Sequence, residues 1–367
     1  MAFTVRVGID ENGLGPRLGP LIVTAVTART FGDGEKRVEK RPRGKLAKRL
    51  GDSKALVAFG DSALGEAWAR AIARRMTGAN DASTPSTPDA LVHALSLDTV
   101  ERLRAPCPGE HHAQCWSNEG ERFDADDALV DDVTGDLEGM DRAGIEVVGV
   151  RVAIVCTSRL NEAAARGVSR FDVDLHAMER LALSARDDAA EDVLVTCGKV
   201  GGYNRYADAF GPLNGRLHTV LAEGRAKSEY AIPGFGRIAF VRDADAHHAL
   251  VAMASLVGKW VRDLLMRRVV RYHRESDPEL PMASGYHDPV TTQFVHASSL
   301  SRKRRALPDD CFERRRAFVA TTSSAPPRSP KAQPPRSPKP KAQPSSPQAG
   351  EAPSTRAASR ASRPASA

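Results

Sequence analysis

Cysteine is scarce, five residues in 367, and so few thiols in a chain of this length do not form the disulfide framework of a small secreted scaffold. No run of eighteen apolar residues occurs, which excludes an ordinary membrane-spanning helix, and no charged-then-apolar leader pattern opens the chain. A soluble, cytoplasmic protein without a membrane partner is expected. Charge of one sign is missing from most of the chain as well. The formal net charge is +7, yet from Thr321 onward eight Lys/Arg face Glu351 alone, so residues 1–320 sum to zero. Bulk charge therefore gives no support for a basic body that wraps a polyanion, and any nucleic-acid contact there must rest on local patches.

What is present begins with Val7-Gly8-Ile9-Asp10-Glu11-Asn12-Gly13-Leu14-Gly15-Pro16-Arg17-Leu18-Gly19-Pro20. Adjacent carboxylates repel, and glycines give up local order. The combination suits a place where a cation neutralises the acids and bare backbone approaches a ligand. A second carboxylate group stands at Asp243-Ala244-Asp245. If the strands bearing these acids are neighbours, three or four carboxylates converge at one sheet edge. Such acids either hold hard divalent cations or cap a following helix, and the residues alone leave both open. A dinucleotide-binding loop fits poorly, because the glycines lead into a strand-like run and the acids would repel pyrophosphate.

Along the chain, Thr4–Ile9 and Leu21–Ala28 are expected to form a hairpin. Residues 33–50 form a basic loop with seven Lys/Arg besides Arg49, either solvated or in contact with phosphate. A helix is expected over Ser62–Met76, and another opens at Thr87-Pro88-Asp89. Residues 77–145 are expected as an insertion or small subdomain. Strands follow at Ile145–Val155, Val193–Val195 and Arg237–Val241, with helices at Phe171–Ala185 and Ala249–Tyr272. This alternation describes a mixed α/β sheet flanked by helices over residues 1–320. Residues 321–367 carry eleven of the 24 prolines and no apolar side chain that could offset ordering entropy, so a disordered basic tail is expected. The tail either adds nonspecific affinity for nucleic acid or merely solubilises.

Smaller features admit two readings each. Cys107, His111, His112 and Cys115 could ligate Zn²⁺ or be loop residues, and their spacing matches no familiar structural zinc pattern. Cys197 is a strand residue or a nucleophile without an identifiable histidine partner. His247 and His248 are first-turn helix residues or proton shuttles for Asp245. The run Ser301-Arg302-Lys303-Arg304-Arg305 is solvated or touches phosphate.

The opening motif resembles that of the type 2 ribonuclease H family, which usually reads G-[IV]-D-E-A-G-R-G-P-x-x-G-P. Further segments are similar to the family in order: Asp52-Ser53-Lys54 to D-S-K, and Leu160-Asn161-Glu162 to the L-N-E of its archaeal and eukaryotic branch. Asp245 with Ser255, Lys259 and Arg262-Asp263 is similar to D-x9-S-x3-K-x2-R-D. Ser284-Gly285-Tyr286-His287-Asp288-Pro289 resembles that branch's S-G-Y-P-x-D-P. The resemblance implies a ribonuclease H-like α/β fold. It also implies an endoribonuclease that cuts RNA in RNA–DNA hybrids, or at ribonucleotides embedded in duplex DNA, with Mg²⁺ or Mn²⁺ as cofactor. It makes Asp10, Glu11 and Asp245 the catalytic metal ligands. Gly13, Leu14 and Gly15 would approach the ribose 2′-hydroxyl, Ser53 and Lys54 would serve substrate phosphate, and Tyr286 would stack on a sugar. Three positions depart from the family pattern. Leu14 replaces an arginine, Asn12 replaces an alanine, and the third carboxylate expected at Thr196, Cys197 or Gly198 is absent. Asp243 is the nearest acid that could move in, and Asp172 and Asp174 are others. The alternative function is therefore a degenerate relative that binds hybrid without cutting it.

Overall fold

Alternating apolar residues in β1 (Thr4–Asn12) and β2 (Leu21–Thr30) form the expected antiparallel hairpin. The computed structural model describes residues 2–78, 84–107, 113–200 and 203–315. The tail 321–367 lies outside the described residues, as do His111 and His112 of the Cys/His cluster. Among the described residues no helix is long and apolar enough to cross a membrane.

The β-branched run Ile145–Val155 is β3, antiparallel to β2. Then come β4 (Val193–Gly198), β5 (Thr219–Glu223), β6 (Lys227–Ile232) and β7 (Gly236–Val241). They complete a seven-stranded sheet in the order β3-β2-β1-β4-β7-β6-β5. β1, β4 and β7 run parallel, whereas β5, β6 and β7 form an antiparallel meander. The two strands that lead into the acids, β1 and β7, are not direct neighbours. β4 lies between them, with Ile9 paired to Cys197 and Gly198 to Val241.

Helices of eight residues or more are α1 (Ala63–Thr77), α2 (Pro88–Leu95), α3 (Asp127–Arg142), α4 (Thr157–Ala165), α5 (Arg170–Ala189), α6 (Ala249–Arg274) and α7 (Pro289–Ala297). They cover both sheet faces. Val5, Val7 and Ile9 point to one face and pack with Leu175, Met178 and Leu181 of α5. On the other face α6 is buried nearly all round, since it lies between the sheet and α1. Each large apolar side chain buried in this way contributes roughly 1.5–3 kcal/mol.

The stretch 77–145 contributes α3 to this core through Val130, Val133, Leu137 and Met140. Its outward face carries Asp132 and Asp136, which pair with Arg49 at 3.1 and 2.6 Å. That acidic stripe hid the helix from a reading based on polarity. The basic run 301–305 is partly spent inside the fold: Arg302 lies over Phe312 and Arg305 over Tyr272, at 4.2 and 4.0 Å from the ring centres.

Gly8 fixes how closely α6 approaches the sheet. A Cβ there would sit 2.5 Å from the Leu250 and Val251 backbone, which has no flexible end to yield. Gly8→Ala should therefore destabilise the protein by about 1–3 kcal/mol, read as a lower midpoint in thermal or urea unfolding. An unchanged midpoint would contradict this packing.

Candidate functional site

The C-terminal ends of β1, β4 and β7 open onto one cavity of about 530 Å³. Asp10, Glu11, Gly13, Leu14, Gly15, Ser53, Lys54, Asp243, Asp245 and Tyr286 all line it, together with Gly198 and Lys199. Segments from five distant parts of the chain thus meet at one place. α6 adds Ser255, Lys259, Arg262 and Asp263, whose spacing sets them along one helix face.

Each segment has a local reason for its shape. Asp52 caps the short helix Ser53–Leu56 by accepting from the Lys54 amide at 2.9 Å, and the Ser255 hydroxyl donates to Ser53 Oγ at 2.9 Å. Asp288 caps α7 through the Thr291 amide at 2.7 Å and accepts from the Ser284 hydroxyl at 2.6 Å. Gly285, at φ +83°, has its carbonyl bound by the Arg17 and Leu18 amides at 2.8 and 3.0 Å. Tyr286 is left 46% exposed on this rigid turn, with the Arg262 guanidinium 4.5 Å from its ring centre. Gly13 has φ +93°, and a Cβ there would meet Arg262 Nε at 2.7 Å.

One residue that sequence reasoning missed holds the glycine loop in place. Arg314 is buried and donates to the Gly13 carbonyl at 2.6 Å and the Gly19 carbonyl at 2.8 Å. Asn161 anchors the segment that delivers it, with its amide donating to the Asp310 and Glu313 carbonyls at 2.9 and 2.8 Å and its oxygen accepting from the Arg315 amide at 2.7 Å. Burial lowers the Arg314 pKa to about 9, with Arg262 and Arg170 adding to the effect.

The acids are electrostatically uncomfortable. Removal from water, then Glu11, then Asp245 push the Asp10 carboxyl well above its usual range, against a hydrogen bond from Ser255. Glu11 rises to about 7 through removal from water, with Lys54 opposing and Asp245 reinforcing. Asp245 is raised by burial and by Asp52, with Lys54 again opposing. Lys54 therefore faces two of the three acids. A fourth acid, Asp174 of α5, is fully buried, and both its oxygens lack a hydrogen-bond partner. It too is raised well above its usual range, by burial and then by Glu11 and Asp10. Asp243 differs: its side chain is 72% exposed and lies 3.4 Å from Arg242.

The donor chemistry fits a hard divalent cation, with carboxylate oxygens and a buried acid whose charge nothing neutralises. As they stand, among the described residues, no three His, Cys, Asp or Glu side chains are gathered tightly enough to hold an ion. Mutual repulsion opposes such gathering, and a cation shared among the acids would offset it.

Cys197 and His248 do not suit the roles weighed for them. Cys197 is fully buried, and burial beside Asp174 raises its thiol pKa far above the range of a nucleophile. Burial likewise raises the Cys107 and Cys115 thiols. His248 is buried where α6 begins, and burial with Arg6 lowers its pKa to about 3, unsuited to shuttling protons near neutrality.

The raised Glu11 pKa has a definite sign. Its folded value, about 7, lies above the ordinary 4.5, so stability falls as pH rises between these values and the loss is complete above them. The loss is at most on the order of 3 kcal/mol. In chelating buffer, Glu11→Gln should melt higher than the parent at pH 8 and by a much smaller margin at pH 5. Equal margins would contradict the assignment.

Neither a protein-family model nor a curated protein matches this chain. Solved structures do. One is the PCNA:RNase HII complex from Archaeoglobus fulgidus, 18% identical over 85% of this chain and 94% of that one, with a TM-score of 0.39. Another is ribonuclease H2 from Pyrococcus horikoshii OT3, 14% identical over 84% of this chain and 92% of that one, at 0.37. A third, Bst-RNase HIII in complex with Mn²⁺, is 11% identical over 81% of this chain and 71% of that one, at 0.34. At these identities and TM-scores the roles of Asp10, Glu11 and Asp245 rest on their own surroundings in this structure.

Proposed function

We propose that this protein is a divalent-metal-dependent endoribonuclease acting on RNA in RNA–DNA hybrids or on ribonucleotides embedded in duplex DNA, leaving 5′-phosphate and 3′-hydroxyl ends. The observation that carries the proposal is the convergence of Asp10, Glu11, Asp245, the Gly13–Gly15 backbone, Ser53, Lys54 and Tyr286 on one cavity. Asp10, Glu11 and Asp245 would hold Mg²⁺ or Mn²⁺. When bound, such ions activate water and stabilise the leaving oxygen of a phosphodiester.

The chain's own groups do the rest. Gly13 and Gly15 present backbone without side chains, which lets a ribose approach closely enough for its 2′-hydroxyl to be sensed. Tyr286 offers an exposed aromatic face on a fixed turn, suited to stacking on a sugar or base. Lys54 supplies a point charge that answers Glu11 and Asp245 and can turn to a phosphate. Leu14 has no side-chain donor, so phosphate contact at that position falls to the backbone.

A second reading, hybrid binding without cleavage, is favoured by the end of β4, where Thr196-Cys197-Gly198 carries no acid. The two separate in an assay with Mg²⁺ or Mn²⁺ on duplex DNA containing one ribonucleotide, on a longer hybrid, and on all-DNA duplex. The parent should cut the first two and spare the third. Asp10→Asn should lose more than about a hundredfold in rate while still binding. Binding by the parent with no cutting would sink the enzyme reading. Tyr286→Ala should raise KM by roughly tenfold, as expected for a lost stacking contact of about 1–3 kcal/mol, and an unchanged KM would remove Tyr286 from the substrate surface.

A further inference from the structure

A cavity lined by acids repels the phosphates of a nucleic acid, and residues 1–320 carry no net charge to draw them in. A second cavity, of about 730 Å³, has the opposite lining. Arg37, Lys40, Arg41 and Arg43 reach it from the segment after β2, and Arg142 from the end of α3. The one acid among the described residues that line it, Asp136, is already engaged: Arg49 donates to both its oxygens, at 2.6 and 3.1 Å.

The segment sorts its charges by direction. Glu35 accepts from the Thr4 hydroxyl at 3.0 Å and Glu39 from Arg6 Nη1 at 2.6 Å, so these acids are drawn back onto β1. The bases stay outside. Lys40, Arg41 and Arg43 are exposed, and the ion pairs of this segment among the described residues belong to Arg37, Glu39 and Arg49 instead. Arg37 comes only within 3.8 Å of Asp33 and Arg142 within 3.9 Å of Glu138, with all four side chains more than half exposed; such pairs hold little energy in water. The Phe31 amide donates to the Gly144 carbonyl at 3.0 Å, and a Cβ on Gly34 would run into that carbonyl. This contact sets the start of the segment against the end of α3, which brings Arg37 and Arg142 to one cavity.

The same segment is stitched along α6 toward the acids. The Val38 carbonyl accepts from the Ala249 amide at 2.9 Å, and Ser53 Oγ accepts from the Ser255 hydroxyl at 2.9 Å. Ala249 lines the basic cavity and Ser255 the acidic one. Their spacing on the helix is an axial offset of about 9 Å. A duplex that advances about 3.4 Å per base pair covers that offset in about three steps.

We infer that the cavity of Arg37, Lys40, Arg41, Arg43 and Arg142 binds the phosphodiester backbone of duplex nucleic acid, a few nucleotides from the position that meets Asp10, Glu11 and Asp245. The choice of nucleic acid as the polyanion rests on the proposed function, whereas the unpaired bases and their place on α6 are independent of it. Long, exposed bases spread over an open wall suit a row of hydrated phosphates better than a single buried anion, and they hold backbone without reading sequence.

The test measures the affinity of the full-length protein for an RNA–DNA hybrid and an all-DNA duplex, each of about 20 base pairs, by fluorescence anisotropy over a range of salt. EDTA removes the cations that cleavage would need. The triple variant Lys40→Gln, Arg41→Gln, Arg43→Gln removes three bases of the cavity. The triple variant Lys36→Gln, Lys45→Gln, Lys48→Gln removes three exposed bases of the same segment that do not line it. The cavity triple should weaken both duplexes by about tenfold or more and make the dependence of log Kd on log salt shallower by about 2–3, as for three lost phosphate contacts. The control triple should weaken them by less than about threefold, and Arg142→Gln, on a different element, should weaken both measurably while melting as the parent does. Equal losses in the two triples would reduce the effect to bulk charge and overturn the inference, as would a cavity triple that binds like the parent. A cavity triple that loses affinity for a polyglutamate peptide and keeps it for duplex assigns the cavity to an acidic protein and also overturns it. If the cavity triple melts well below the parent and Arg142→Gln binds like the parent, the loss is structural and the inference fails. A parent that binds duplex through these bases but cuts nothing with Mn²⁺ sinks the enzyme reading alone, and a parent that cuts while the cavity triple binds unchanged sinks this inference alone. A parent that binds neither duplex at low salt overturns both.

Discussion

Like charge crowded at the end of a parallel strand core is the constraint on which the rest of this structure depends. Asp10, Glu11, Asp174 and Asp245 raise one another's pKa or are raised by burial, and Lys54 opposes the effect at Glu11 and Asp245. Such a group of acids survives folding only if the surrounding scaffold is stable enough to bear its cost. The scaffold meets this with α6, buried nearly all round, and with glycines at the closest contacts. Gly8 lets α6 lie on β1, Gly65 would meet the Leu256 carbonyl at 2.2 Å if it bore a Cβ, and Gly258 would meet Thr24 Oγ1 at 2.7 Å. Tight backbone approach maximises dispersion and burial where the acids take stability away.

The second dependence runs through the glycine loop. Its carbonyls at Gly13 and Gly19 are held by Arg314, and Arg314 is delivered by a segment that Asn161 ties down. The turn at Gly285 binds the same loop from another side through Arg17 and Leu18. This explains how asparagine 161, far from the acids in sequence, bears on the site without touching it. Buried side-chain amides hydrogen-bonded to three backbone groups fix a segment more firmly than apolar contact alone.

Much of this was legible in the sequence. The hairpin, β3, α1, α5, α6 and the mixed α/β class follow from periodicity and run length, and the ordered motifs named the residues that line the cavity. Three kinds of feature were not legible. α3 was masked because its outer acids, Asp132 and Asp136, pair with Arg49 rather than marking a loop. β5 and β6 were missed because β5 is an exposed edge with little apolar contrast. Arg314 was missed because a buried arginine is recognised by the carbonyls it reaches, and those lie about three hundred positions away. The sheet order was also beyond a one-dimensional reading: acids at two strand ends left adjacency open, and β4 separates the two strands.

Charge balance closes the account. Residues 1–320 are neutral in sum, so a polyanion is not drawn to this body by its overall field, and the acid-lined cavity repels phosphate unless cations intervene. Residues 33–50 lead along the chain into Asp52-Ser53-Lys54, and Arg49, paired to Asp132 and Asp136 of α3, anchors the end of that stretch beside the site motif. Arg37, Lys40, Arg41 and Arg43 line a second cavity of about 730 Å³. A neutral body with a basic segment feeding directly into the lysine that faces Glu11 and Asp245 separates two tasks. On the proposed reading, phosphate attraction would fall to exposed bases that salt can screen, and the acids would be left for the cations.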